Sequence, residues 1–374
     1  MKRIFCLSIA FIVLASSPSA WAQEQIRNGK LAVTSAKVRL KYKKEDEALV
    51  ILEEGRRIDP NHAELYPLLG SLYIMKGEYM KADSAFDKAV ALDPKLEKEV
   101  TDARKAEWSS LINRGVNAME SEDYDQAISL MNHATLIYPE GVEAHINLAA
   151  AHVNASQKEE EWVREYVKTH GLEKPGAPES PASSILLRES ILHFRKAIEI
   201  EPANTDVKLD LARVYDYLGK PDSARVYYQE VLQLQPENRS VKEAMANCYL
   251  REGNLESAHT IYSELMATGE VSPDVAFNIG VVELQLKDWE GAERAFELTV
   301  KGKPDDLEAL ENLSISLMEQ KKYDKAIPQL EKIVALNERN QGAWGSLVVA
   351  YAQLGMNDKA SQAHEKYKML GGGE

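Results

Sequence analysis

From residue 29 onward the apolar positions recur with helical spacing and, over a longer range, every 34 residues. Pro60 and Pro94 lie 34 apart, and Pro202, Pro236 and Pro304 lie 34 and 68 apart. In that phase the chain divides into blocks 29–62, 63–96, 108–141, 142–204, 205–238, 239–272, 273–306, 307–340 and 341–374. Each block reads as helix, short turn, helix. Positions 4, 7, 8 and 11 of the first helix share one arc at 100° per residue. Position 8 is small in all blocks but the last (Ala36, Gly70, Gly115, Ala149, Ala212, Ala246, Gly280, Ser314). Position 20, on the second helix, is alanine or serine throughout, and position 24 is large (Leu52, Phe86, Met131, Phe194, Tyr228, Tyr262, Phe296, Leu330). Small residues facing large ones let two helices approach closely. Gly77, Gly219, Gly253 and Gly355 mark the turns. Asn61 with Glu64, Ser240 with Glu243, and Asp305 with Glu308 have capping-box spacing and predict helix starts. No long run alternates with period two, so the predicted class is all-α.

The clearest copy is AELYPLLGSLYIMKGEYMKADSAFDKAVALDP, residues 63–94, with Leu69, Gly70, Tyr73, Gly77, Tyr79, Ala82, Phe86, Ala89 and Pro94 at its large and small positions. On this pattern, repeated nine times in phase, the chain resembles the tetratricopeptide repeat (TPR) proteins. The resemblance implies a TPR α-solenoid, a right-handed superhelix of helix-turn-helix repeats. Such units do not bury their faces alone and are stabilised by their neighbours, so an end unit should be atypical. The ninth block is, with His364 at position 24 and Tyr367 at position 27.

Two segments break the phase. The spacer 97–107, EKEVTDARKAE, favours helix and is expected to extend the second helix of block two into the first helix of block three. The insert at about 157–185 starts with a helical stretch carrying Trp162, Val163, Tyr166 and Val167. It continues through Gly171, Pro175, Gly176, Pro178 and Pro181, which reads as loop. A solvated excursion and a functional flap both fit it. Ahead of the repeats, Lys2 and Arg3 precede an apolar run over 4–15 and then Ala20-Trp21-Ala22. This predicts a signal peptide over 1–22, cleaved after Ala22, and a short leader over 23–28 before the solenoid of 29–374. The run is short for a membrane span, although a retained anchor is the alternative. The expectation is an exported protein, periplasmic or secreted, with no stable membrane insertion after cleavage.

Charge and candidate chemistry narrow the function. The chain has 374 residues and a formal net charge of −14, which disfavours a nucleic-acid partner. Of two cysteines, Cys6 falls in the signal peptide, leaving Cys248 without an intrachain partner and at a position expected to be buried and inert. There is no G-x-S-x-G, H-E-x-x-H, Walker A or G-x-G-x-x-G pattern, so no catalytic residue, metal site or cofactor is predicted. His145 and His152, seven apart on one helical face, are two possible metal ligands. They also hold positions 4 and 11, where Tyr66, Tyr73, Trp344 and Tyr351 stand elsewhere, which predicts packed histidines.

Positions 2, 5, 9 and 12 of the first helix form a second arc, which the resemblance implies is a concave ligand groove. It carries Ile112, Val116 and Met119, then Ile146, Ala150 and Val153, then a polar centre including Arg213 and Asn247. Beyond these come Phe277, Val281 and Leu284, then Ile315 and Met318. Part of this arc is expected to pack between successive first helices. The lysine and asparagine clamp that some TPR proteins use for acidic C-terminal tails is absent, since Asn247 and Lys37 are single instances. The expected function is an extracytoplasmic scaffold that binds a protein or peptide, an amphipathic helix or an extended segment, in assembly of a cell-envelope complex. The alternatives are an accessory of envelope polysaccharide export and a metal-dependent enzyme using His145 and His152.

Overall fold

The computed structural model describes residues 26–170, 181–267 and 271–372. The predicted signal peptide and its cleavage site lie outside them, as do Gly171, Pro175, Gly176 and Pro178 and the side chains of Tyr166 and Val167. The described residues form eighteen α-helices and no strand. They fall into two compact units, divided between Pro202 and Ala203.

The first unit holds four helix pairs: α1 (Gly29–Lys41) with α2 (Glu45–Ile58), α3 (Leu65–Met75) with α4 (Tyr79–Leu92), α5 (Glu97–Glu120) with α6 (Tyr124–Ile137), and α7 (Val142–His170) with α8 (Pro181–Ile200). The second holds five: α9 (Thr205–Tyr217) with α10 (Pro221–Leu234), α11 (Arg239–Arg251) with α12 (Leu255–Ala267), α13 (Pro273–Leu286) with α14 (Trp289–Gly302), α15 (Leu307–Glu319) with α16 (Tyr323–Leu336), and α17 (Gln341–Gln353) with α18 (Asn357–Met369). Within each unit every helix packs on the next, and the first helices of successive pairs touch throughout the first unit and from α11 onward in the second. Each unit is thus a stacked array of helix-turn-helix repeats.

The packing follows from the small and large positions. Ala82 and Phe86 are fully buried, as are Ala258 and Tyr262, and Ala292 and Phe296. Each large side chain so buried contributes roughly 1.5–3 kcal/mol. Turns and caps keep the same period. Residue 15 of a block has positive φ at Gly77, Gly219, Gly253 and Gly355, and also at Lys43, Glu122, Lys287 and Lys321, where glycine is missing. The chain reverses there through a left-handed residue after the first helix. The caps differ from those expected. Asn238, not Ser240, accepts from the Val241 N–H (3.2 Å), and Asp306, not Asp305, accepts from the Ala309 N–H (3.1 Å). Asn204, Ser272 and Asn340 do the same for Val207, Val275 and Ala343. The last residue of each of these blocks therefore caps the first helix of the next. Asn61 caps nothing, since α3 starts after Glu64 with no side-chain cap.

The described residues of both irregular segments are helical. Residues 97–107 form the start of α5, but they do not continue α4. A short 3-10 turn, Pro94–Leu96, capped by the Asp93 side chain on Lys95 N–H, separates the two. On this extension the Arg104 guanidinium donates to Asp83 (2.5 Å) and Asp87 (2.7 Å) of α4 and to the Ile137 carbonyl (2.7 Å) that ends α6. It also lies over the Phe86 ring, 5.3 Å from its centre. In the insert, 157–170 prolong α7, and Pro181 opens α8, where a missing N–H costs nothing. Ser156 and Ser183 join the two helices through their hydroxyls (2.6 Å), and Ser183 also donates to Glu160 (2.8 Å).

Candidate functional site

Every residue of the predicted groove lies on the first helix of a pair. In the first unit, Ile112, Val116 and Met119 stand on α5, and Ile146, Ala150 and Val153 on the neighbouring α7. All six are half-buried. Ile112 and Met119 pack against core side chains. Between these positions the fully buried residues are others, Leu111 on α5 and Leu148 and Ala149 on α7. The stripe therefore borders the core, with Ile112 and Met119 reaching into it.

In the second unit the apolar positions are more committed to packing. Phe277, Val281 and Leu284 of α13 and Met318 of α15 are half-buried against the core around Phe296 and Leu317, whereas Ile315 is 47% exposed. The polar positions are internally satisfied. Arg213 on α9 is exposed and pairs with Asp210 at 3.2 Å. On α11 the Asn247 carbonyl oxygen accepts from the Tyr262 hydroxyl and from the Asn278 amide (3.0 Å). Cys248 is fully buried, and burial pushes its thiol up to about 11, away from thiolate chemistry. A cleft of about 520 Å³ opens between α16, α17 and α18, lined by Val334, Trp344, Tyr351, Lys359 and Met369, and includes none of the predicted groove residues.

The two histidines are packed, and a third joins them. His145 and His152 of α7 are each 7% exposed. The His193 ring of α8 stacks on both, with ring centres 5.6 Å from His145 and 6.0 Å from His152. His145 Nε2 meets the Pro139 carbonyl at 3.1 Å. Tyr66 makes the equivalent bond to the Pro60 carbonyl (2.6 Å) and Trp344 to the Glu338 carbonyl (2.9 Å). His145 thus fills a structural role of position 4, tying the first helix to the end of the preceding block. Among the described residues no group of three or more candidate ligands could hold a metal ion. His193 escaped sequence reading because it comes from the partner helix, 48 residues from His145. Burial lowers the affinity of all three rings for protons, with His193 held down to about 4 by burial and by its two neighbours.

A sequence profile described as Tetratricopeptide repeat matches residues 217–276 and 317–368, and a second of the same description matches 63–96. Over 133 residues the chain is 24% identical to the DnaJ protein P58IPK homolog B of Oryza sativa subsp. japonica. That alignment covers 35% of this chain and 28% of the rice protein. Among solved structures, YrrB, described as a TPR protein with an unusual peptide-binding site, superposes with a TM-score of 0.44 at 19% identity over 47% of this chain and 91% of that one. MamA gives 0.40 at 20% identity over 44% and 91%. A tetratricopeptide repeat protein from Parabacteroides merdae gives 0.32 at 14% identity over 79% and 99%.

Proposed function

We propose that this chain, which belongs to the tetratricopeptide repeat proteins, is an exported scaffold that holds a protein partner on the first-helix face of its first unit. A repeat scaffold of this kind is suited to protein–protein interaction. The observation that carries the finer reading is the stripe Val116, Met119, Ile146, Ala150 and Val153. It is apolar, shared by two touching helices, and only half-buried. An amphipathic helix or an extended segment laid along it buries that surface, the mode in which apolar anchors enter a groove. The acidic chain disfavours nucleic acid as the partner. Among the described residues no helix is long and apolar enough to cross a membrane.

Export is supported by Lys2, Arg3, the apolar run and Ala20-Trp21-Ala22. An exported scaffold without a catalytic constellation fits assembly of a cell-envelope complex. Placing a photoreactive residue at position 116 and crosslinking in living cells tests this reading. A discrete adduct with one envelope protein, lost on adding Ile146→Asp, is the expected result. A crosslinker at 116 that labels nothing, while the same residue at an exposed control site on α14 does, overturns it.

A further inference from the structure

The three stacked histidines have a property that packing alone does not require. The Pro139 carbonyl only accepts, so His145 Nε2 carries a hydrogen. In the neutral ring His145 Nδ1 is then bare. It faces His193 Nδ1 at 3.4 Å, so His193 Nδ1 must be the donor. His152 adds a buried Nδ1 with no hydrogen-bond partner. One proton on the His145–His193 pair leaves this contact hydrogen-bonded, because one of the two facing Nδ1 atoms can stay bare. A second proton on the pair then places one N–H directly against another, inside a core where like charges are poorly screened. The charged side chains acting on the trio both come from α8. Lys196 disfavours a charged His145, and Glu189 favours a charged His152. None from α5, α6 or elsewhere on α7 acts on it among the described residues.

We propose that His145, His152 and His193 form an acid-sensitive latch between α7 and α8, which holds the hairpin shut while neutral and releases it as its rings take up protons. The same α7 carries Ile146, Ala150 and Val153, so opening changes the surface assigned above to the partner. The latch itself does not depend on that assignment. Its direction follows from linkage. A histidine whose folded affinity for protons is depressed stabilises the closed state above its ordinary value, near 6.5, and loses that contribution as pH falls toward the folded value. For His193 the window runs from 6.5 down to about 4.

Amide exchange of the full chain without any partner, followed over the segments 142–170 and 181–200 and corrected for intrinsic pH effects, tests it. Relief of His193 alone increases hairpin opening about twenty-fold between pH 7 and pH 5. Helices α13 to α16 should stay protected over the same range. His193→Gln should flatten the acid response, as should His145→Gln. Histidine Cε1–H titration of the unaltered chain by NMR covers the case in which these variants fold poorly. Three rings titrating well below 6.5 together with hairpin opening support the latch. Rings titrating near 6.5, a hairpin still protected at pH 4.5, or an unchanged acid response in both variants each overturn it. Because no partner is present, these outcomes leave the groove reading to its own crosslinking test.

Discussion

The ring of Phe86 fills the space that Gly70 leaves by having no side chain: a Cβ on Gly70 lies 2.5 Å from Phe86 Cε1 and 2.7 Å from its Cδ1. Gly280 and Phe296 repeat the arrangement at 2.7 Å. At Gly115 the opposing group is instead the Met131 Cε, the flexible end of a side chain. Gly70→Ala and Gly280→Ala should each lower stability by ~1–3 kcal/mol, because a fully buried ring has nowhere to move. Gly115→Ala should cost less, since methionine adapts. Thermal melts of the three variants check the ranking, and an equal loss in all three contradicts it.

The turn residues make a stabilising prediction. Lys43, Glu122, Lys287 and Lys321 have φ of 55–62°, the left-handed region where a Cβ is unfavourable. Changing each to glycine should raise stability by about 1 kcal/mol. The opposite change, Gly77→Ala, Gly219→Ala or Gly253→Ala, should lower it by a similar amount. Denaturant midpoints measured in both directions form the check.

The first-helix stripe and the core give different answers to a charge. Val116→Asp and Ile146→Asp place a carboxylate on a half-buried face and should shift stability by only ~0.5–1 kcal/mol. Leu111→Asp and Leu148→Asp bury one where exposure is zero, and should cost several kcal/mol. A melt that ranks all four together would reject the distinction between stripe and core.

Acid titration should separate Glu293 from the other carboxylates. Glu293 of α14 is buried yet accepts from Lys322 (2.6 Å), Lys325 (2.8 Å) and the Gln320 amide (2.9 Å), linking α14 to the start of α16. Although burial opposes ionisation, these donors hold its carboxyl down to about 2. Its contribution is therefore complete above the ordinary value of 4.5 and is lost as pH falls toward about 2. Glu293→Gln should destabilise the second unit by ~1–3 kcal/mol at pH 7 and flatten its acid limb below 4.5. A variant that keeps the full acid limb removes Glu293 as its source.

Export predicts a defined N-terminus. The intact mass of protein recovered from the periplasm or medium should correspond to a chain beginning at Gln23. A full-length species confined to cytosol contradicts this.

The 34-residue ruler made the helix pairs legible, because residue size at positions 8, 20 and 24 is set by helix contact, as Gly70 with Phe86 illustrates. It also disclosed which first-helix residues share a face. Three things were hidden for physical reasons. The caps Asn204, Asn238, Ser272, Asp306 and Asn340 have valine or alanine, not glutamate, three residues on, so the capping-box pattern misses all five and points instead to Ser240, two residues after Asn238, and to Asp305, one before Asp306. The left-handed turns at Lys43 and Lys287 carry no glycine to announce them. His193 comes close to His145 only through helix pairing, which spacing along one helix does not report. The degree to which Phe277, Val281 and Leu284 belong to the core rather than to a groove likewise depends on neighbouring helices.

Arg104 gives the first unit a mechanical character. An array held by nearest-neighbour contacts alone, pulled from its ends, gives way one pair at a time. Here one guanidinium ties α4, the extension of α5 and the end of α6 together. The 24 residues of α5 form a rod of roughly 36 Å. Tension that draws α4 from this rod also loads the end of α6, so the second and third pairs yield in one rupture with the combined extension of both. Arg104→Ala splits that rupture into two shorter steps.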